Sequence, residues 1–182
     1  MEQKKHPISE SNVLGFLTVA MEFCTLVERV TALSLFAFVD GSIKVLPLLY
    51  SKATLLPSLE TEDDDSAPEQ TVTEEMYETA RSGIAALLGE FDSFLETFHP
   101  DMPYSDTPIA AFISESLADV YQDIGNFIGL FSHDNNKVAT EAVAVCKTNF
   151  REYWGQRLLN ALKALHAIRY NEENDLETYD IE

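Results

Sequence analysis

TPIAAFISESLADVYQDIGNFIGLF, residues 107–131, decides the fold. Its apolar side chains fall at Ile109, Phe112, Ile113, Leu117, Val120, Tyr121, Ile124, Phe127, Ile128 and Phe131. Steps of three and four bring side chains onto one face of an α-helix. Thr107-Pro108 is a cap residue followed by proline at the first helical position, so the helix is predicted to open there. A stripe this long must be covered by other helices, and the rest of the chain supplies them.

Downstream, His133-Asp134-Asn135-Asn136 reads as a turn, and one helix is predicted from there to about Tyr170. Upstream, a helix begins near Thr71 or Thr73, with Glu74, Glu75 and Glu78 complementing the positive end of its dipole. It continues through Ile84, Leu87, Leu88, Phe91, Phe94 and Leu95 to Phe98, until His99-Pro100-Asp101-Met102-Pro103 breaks it. The first helix starts at Ser11 or Asn12 and runs to about Val30, with an apolar surface broad enough for neighbours on several sides. The second covers roughly residues 34–56 and holds Pro47, which lacks a backbone donor and is expected to kink or break it. The expected architecture is all-α, an antiparallel up-and-down bundle of four to five helices in a single domain over residues 1–182.

The chain carries 31 acids against 12 bases, a net charge of −19. Nine acids fall between Lys52 and Arg81 and six follow Arg169, with no base among them. These stretches read as a mobile acidic linker at about residues 58–72 and an acidic tail at about 171–182. Direct binding to a nucleic-acid backbone is disfavoured because the overall field repels phosphate. Cys24 and Cys146 lie in apolar helical segments far apart and suggest buried thiols. The polar N-terminus shows no signal-peptide pattern, and the longest run free of charge, residues 11–21, is shorter than the roughly 20 residues of a membrane span. A cytoplasmic protein without a membrane segment is expected.

Leu46-Pro47-Leu48-Leu49-Tyr50-Ser51-Lys52-Ala53 with Leu56-Pro57, Tyr153-Trp154-Gly155 with Leu162, Leu165 and His166, and the run from Phe16-Leu17 to Glu22-Phe23-Cys24 resemble one family over nearly the whole chain. It is an uncharacterised family of small bacterial proteins, a domain of unknown function found in Bacteroidetes and other bacteria. The resemblance implies a helical fold and a bacterial source, and it implies no activity and no functional residues.

Six of the twelve bases lie on the last helix. At 100° per residue, Lys147, Arg151, Trp154, Leu158 and Leu165 share a sector of about 60°. Unpaired cations on an apolar face are costly, so they snorkel, pair with carboxylates of other helices, or line an anion pocket beside Trp154. In the last case Tyr50, Arg157 and His166 are further donors. Glu96-x-x-His99 matches half of a carboxylate-bridged di-iron pattern, but a second copy and two more glutamates are missing, so no metal or other cofactor is expected. Glu115, Asp119 and Asp123 repeat at four-residue steps and read as a solvated helix face. The chain has no phosphate-binding, dinucleotide-binding, nucleophile-elbow or zinc-protease motif.

The best functional expectation is a non-enzymatic protein that binds another protein, its acidic segments engaging a basic partner. An enzyme or small anionic-ligand binder built on the Trp154 strip is the alternative, and an acidic nucleic-acid-mimicking or antitoxin-like protein is a third. A subunit interface explains the apolar first and second helices as readily as intrachain burial does, so a homodimer is open.

Overall fold

The computed structural model describes residues 11–59, 69–96, 109–133, 135–171, 174 and 176. It is an all-α bundle. α1 (Ser11–Glu28) leads through a 3-10 turn (Val30–Ala32) into α2 (Leu35–Thr54); then come α3 (Glu74–Leu88), a 3-10 turn (Gly89–Asp92) and the short strand β1 (Ser93–Leu95). The second strand β2 (Ala110–Phe112) precedes α4 (Ile113–Phe131), and α5 (Asn136–Asn149) joins α6 (Gly155–Tyr170) through a π-helical turn at Phe150–Trp154. α4, which carries the deciding stripe, packs against α1, α3, α5 and α6, while α2 lies against α1 and α6. Phe16 of α1 and Phe127 of α4 meet edge to face with ring centroids 5.1 Å apart, a favourable aromatic geometry.

α1 is long and apolar enough, by length and composition alone, to cross a membrane. Here Val13, Phe16, Ala20, Phe23 and Val27 are buried among the other helices, so its apolarity is that of a core helix. Ser34 caps α2 and Thr73 caps α3, each side-chain oxygen accepting a backbone N–H three residues on, as such residues do.

Four expectations are corrected. α2 is not broken: it runs continuously through Pro47, held by Val45, Leu46 and Leu49, which are buried around the proline. Pro47 still removes the N–H that would have bonded to the Ile43 carbonyl. α3 stops at Leu88 rather than Phe98, because Gly89 takes φ +54° and ψ −122°, a positive-φ backbone open chiefly to glycine that turns the chain out of the helix. Phe94 then lies in a strand, paired with Ala111 of antiparallel β2. α4 opens at Ile113; Thr107 and Pro108, the predicted start, and the His99–Pro103 break lie outside the described residues. The end of the supposed linker is anchored: Asn126 Oδ1 accepts the backbone N–H groups of both Thr71 and Val72 at 2.8 Å. Most of the remaining linker and tail lies outside the described residues.

Phe112, preceding α4, provides no side-chain cap. The buried Asp92 does that work from the 3-10 turn, its Oδ1 accepting the Ser114 N–H and its Oδ2 the Ser114 hydroxyl, both at 2.7 Å. Helix starts leave such N–H groups without intrahelical partners. Asp92→Ala is therefore expected to destabilise the fold by about 1–3 kcal/mol, seen as a lower urea midpoint at unchanged slope. An unmoved midpoint would mean that water caps α4 equally well.

Candidate functional site

The π turn governs which side chains of the last helical stretch face inward. Before it, Ala139, Ala142, Val143 and Cys146 are buried; after it, Trp154, Leu158, Ala161, Leu165 and Ile168. Regular steps from Cys146 lead to Phe150 and then Tyr153. The extra residue of the wide turn hands the inward position to Trp154 instead. Its indole is fully buried, Nε1 donates to the Cys146 carbonyl at 3.1 Å, and its ring lies 4.7 Å from that of Phe150. Gly155 completes the turn: its N–H donates to the Phe150 carbonyl, and a Cβ there would stand 2.5 Å from that oxygen.

The six residues that the sequence offers as a pocket are therefore dispersed. Trp154 is core. Lys147 Nζ donates to the Leu56 carbonyl just past α2, where a cation meets the negative end of a helix dipole. Arg151 is exposed. Tyr50 is half-buried, its ring 5.1 Å from that of Phe150. Arg157 Nε lies 3.2 Å from Asp119 Oδ2. His166 is exposed, with its ring 4.7 Å from that of Tyr170. A uniform 100° step fails across the π turn, which is why Arg151 and Trp154 part company.

Of the carboxylate ladder of α4, Glu115 is exposed, as a solvated face requires, whereas Asp119 and Asp123 are half-buried. Asp119 is only 14% exposed and collects the Tyr77 hydroxyl at 2.9 Å, the Tyr153 hydroxyl at 2.6 Å and Arg157. Tyr153 and Arg157 form, with Asn160, the strip that the π turn leaves beside the core; Asn160 Nδ2 donates to Glu96 at 2.9 Å. Burial and the Asp119 charge push both phenols up from their ordinary range, so they remain proton donors. With three donors on one carboxylate, this cluster is an interhelical tie joining α3, α4 and the end of the π turn. Arg169 ties α6 to α2 in the same way, 3.4 Å from Asp40 and 4.7 Å from the Phe36 ring. The thiols are held protonated: burial first, then the charge of Glu28, pushes Cys24 up to about 12, and burial raises Cys146 strongly.

Among the concavities lined by the described residues, two stand apart from these ties, and neither carries a sequence motif. An open, largely apolar groove of about 630 Å³ runs between α2 and α6, formed by Ile43, Pro47, Leu159, Leu162 and Tyr170 with Lys163 and His166 at its edge. Leu159 is 38% and Tyr170 60% exposed. The only advance signals were His166 and Pro47, read from sequence as a donor and a helix breaker. A narrower cleft with a mixed polar and apolar lining lies between α4 and α5, near Asp123 and Asn149.

Fold and surface together define a small acidic helical-bundle protein with an open apolar groove and, among the described residues, no cluster of three or more metal-ligating His, Cys, Asp or Glu side chains. The chain belongs to the family described as "Domain of unknown function (DUF5063)", whose model matches residues 7–171. It is similar to protein BF1032 from Bacteroides fragilis, known from a structural-genomics crystal structure, at 42% identity over 91% of this chain and 96% of that one, with a TM-score of 0.81. Comparison with curated proteins gives no match. The family, its helical fold and its bacterial representative agree with the resemblance drawn from Leu46-Pro47-Leu48 and Tyr153-Trp154-Gly155, and the family assigns no activity.

Proposed function

We propose that this chain is a non-enzymatic, cytoplasmic protein that works by binding another protein, and that the partner seats an amphipathic segment in the groove between α2 and α6. The observation that carries the reading is the apolar lining, exposed at Pro47, Leu159 and Tyr170 and half-buried at Ile43 and Leu162, since contiguous apolar surface with a polar rim marks protein contacts. Pro47 adds a polar anchor by leaving the Ile43 carbonyl without its intrahelical donor. A segment with apolar side chains toward Leu159 and Leu162 and one donor toward Ile43 would match both features.

The test is a photo-crosslinking amino acid placed at Leu159 and, as control, at Glu75 on α3, in cells that express the chain. One protein captured from Leu159, absent from Glu75 and lost on Leu162→Glu, is the expected result. A crosslink to a second copy of the chain would make the groove a homodimer interface and overturn the heterologous partner. Equal capture at both positions, or none, would overturn the groove.

A further inference from the structure

The cleft between α4 and α5 encloses about 280 Å³, room for several waters at roughly 30 Å³ each. Its floor is apolar, made by Phe127, Leu130 and Val145. Its polar wall is Gln122, Asp123 and Asn149, and Glu69 and Gln70 stand at its edge, held there because the next two residues are pinned to Asn126. Among the described residues, the lining thus offers two carboxylates and several carboxamides with no Lys, Arg or His. Asn149 Nδ2 donates to Asp123 Oδ1 at 2.5 Å, and among the described residues Oδ2 has no donor. Asp119 lies one turn before Asp123, but its own cation, Arg157, is spent on it.

We propose that this cleft binds an alkyl ammonium or alkyl guanidinium cation, the charged head against Asp123 and Glu69 and the aliphatic stem over Phe127 and Val145. The carboxylates supply charge, the open Oδ2 accepts the donor, the carboxamides satisfy the remaining N–H groups, and the floor takes the methylenes. An anionic or purely apolar ligand would leave the carboxylates uncompensated. The inference does not rest on the α2–α6 groove, which shares no residue with this cleft.

Asp123 is half-buried beside Asn149. Burial raises its carboxyl above the usual range, with Asp119 adding to the shift and Asn149 opposing it. The folded chain therefore binds more protons than the unfolded one between the ordinary and the raised value, and stability falls as pH rises through that interval. Asp123→Asn removes the penalty, so this variant should melt no lower than the parent at neutral pH.

That sign makes the test clean. Calorimetric titration of the full chain with agmatine should give saturable binding that Asp123→Asn weakens by about tenfold or more, while 1,4-butanediol fails to bind and Asp40→Asn, near α6, leaves agmatine binding intact. A second arm uses the blocked peptide acetyl-Gly-Arg-Gly-amide: tighter binding than agmatine assigns the cation to an arginine side chain of a protein, and weaker binding assigns it to a free amine. Equal binding of agmatine to the parent and to Asp123→Asn, or no binding of either probe to the parent, overturns the proposal.

Discussion

Trp154→Ala is expected to lower the melting temperature by about 6–20 °C, the consequence of losing about 3–5 kcal/mol in a domain of this size. Trp154 is fully buried and touches the Phe150 and Phe16 rings at centroid distances of 4.7 and 6.5 Å. Truncation leaves a cavity at the junction of α1, α4 and the π turn. It also removes one of the two donors on the Cys146 carbonyl, which keeps the Phe150 N–H, so the lost hydrogen bond adds a smaller share than the cavity. Trp154→Phe should fall between, since it keeps much of the ring and loses the N–H. Calorimetry checks both, and an alanine variant that melts within about 2 °C of the parent would show that the core collapses around the gap.

Asn126→Leu should cost about 2–4 kcal/mol and release the segment before α3. One oxygen receives two backbone N–H groups at 2.8 Å, from Thr71 and Val72, and leucine offers neither an acceptor. Gly125 and Gly129 let that segment lie close: a Cβ at Gly125 would approach Val72 Cγ2 to 2.4 Å, and one at Gly129 would approach Thr71 Oγ1 to 2.4 Å. Hydrogen exchange is the decisive measurement. The Thr71 and Val72 amides should exchange much faster in the variant, while amides in the middle of α4 lose only the global share of protection. Uniform loss across both segments would mean that the two unfold together. Because Glu69 and Gln70 reach the cleft only while their neighbours are held, the same variant should weaken agmatine binding.

The helices were legible where period and punctuation agreed. α1 and α4 declare themselves by apolar side chains every three or four residues, and Thr73 was one of the two caps read for α3. Gly89 was the missed signal: a single glycine inside a helical pattern is tolerated as often as it terminates, and only its φ of +54° distinguishes the cases. Phe91 and Phe94 deepened the error by continuing the helical spacing by chance into a 3-10 turn and a strand. At the site level the basic residues of the last helix, singled out from sequence, take different surroundings, and Arg151 is exposed. Arg157 and Arg169 found carboxylates on α4 and α2, whereas Lys147 found a carbonyl. The π turn had no readable cause in sequence, because a wide turn is selected by what packs on both sides of it. Asp119 and Asp123 were seen as a ladder and misplaced in solvent, since a helix with neighbours on four sides has little solvated face left.

That wide turn has one more consequence. α5 packs on α4, and α6 packs on both α2 and α4, yet one unbroken helical run, with a single glycine at the joint, carries both. An unmodified α-helix has one phase along its length, so fitting its first half to α4 would dictate what its second half shows to α2. The surplus residue supplies an independent setting for each half, like the offset between two keys cut on one shaft. Cleft and groove are in this sense separately tunable surfaces: substitutions that reshape one can be accommodated without rotating the other.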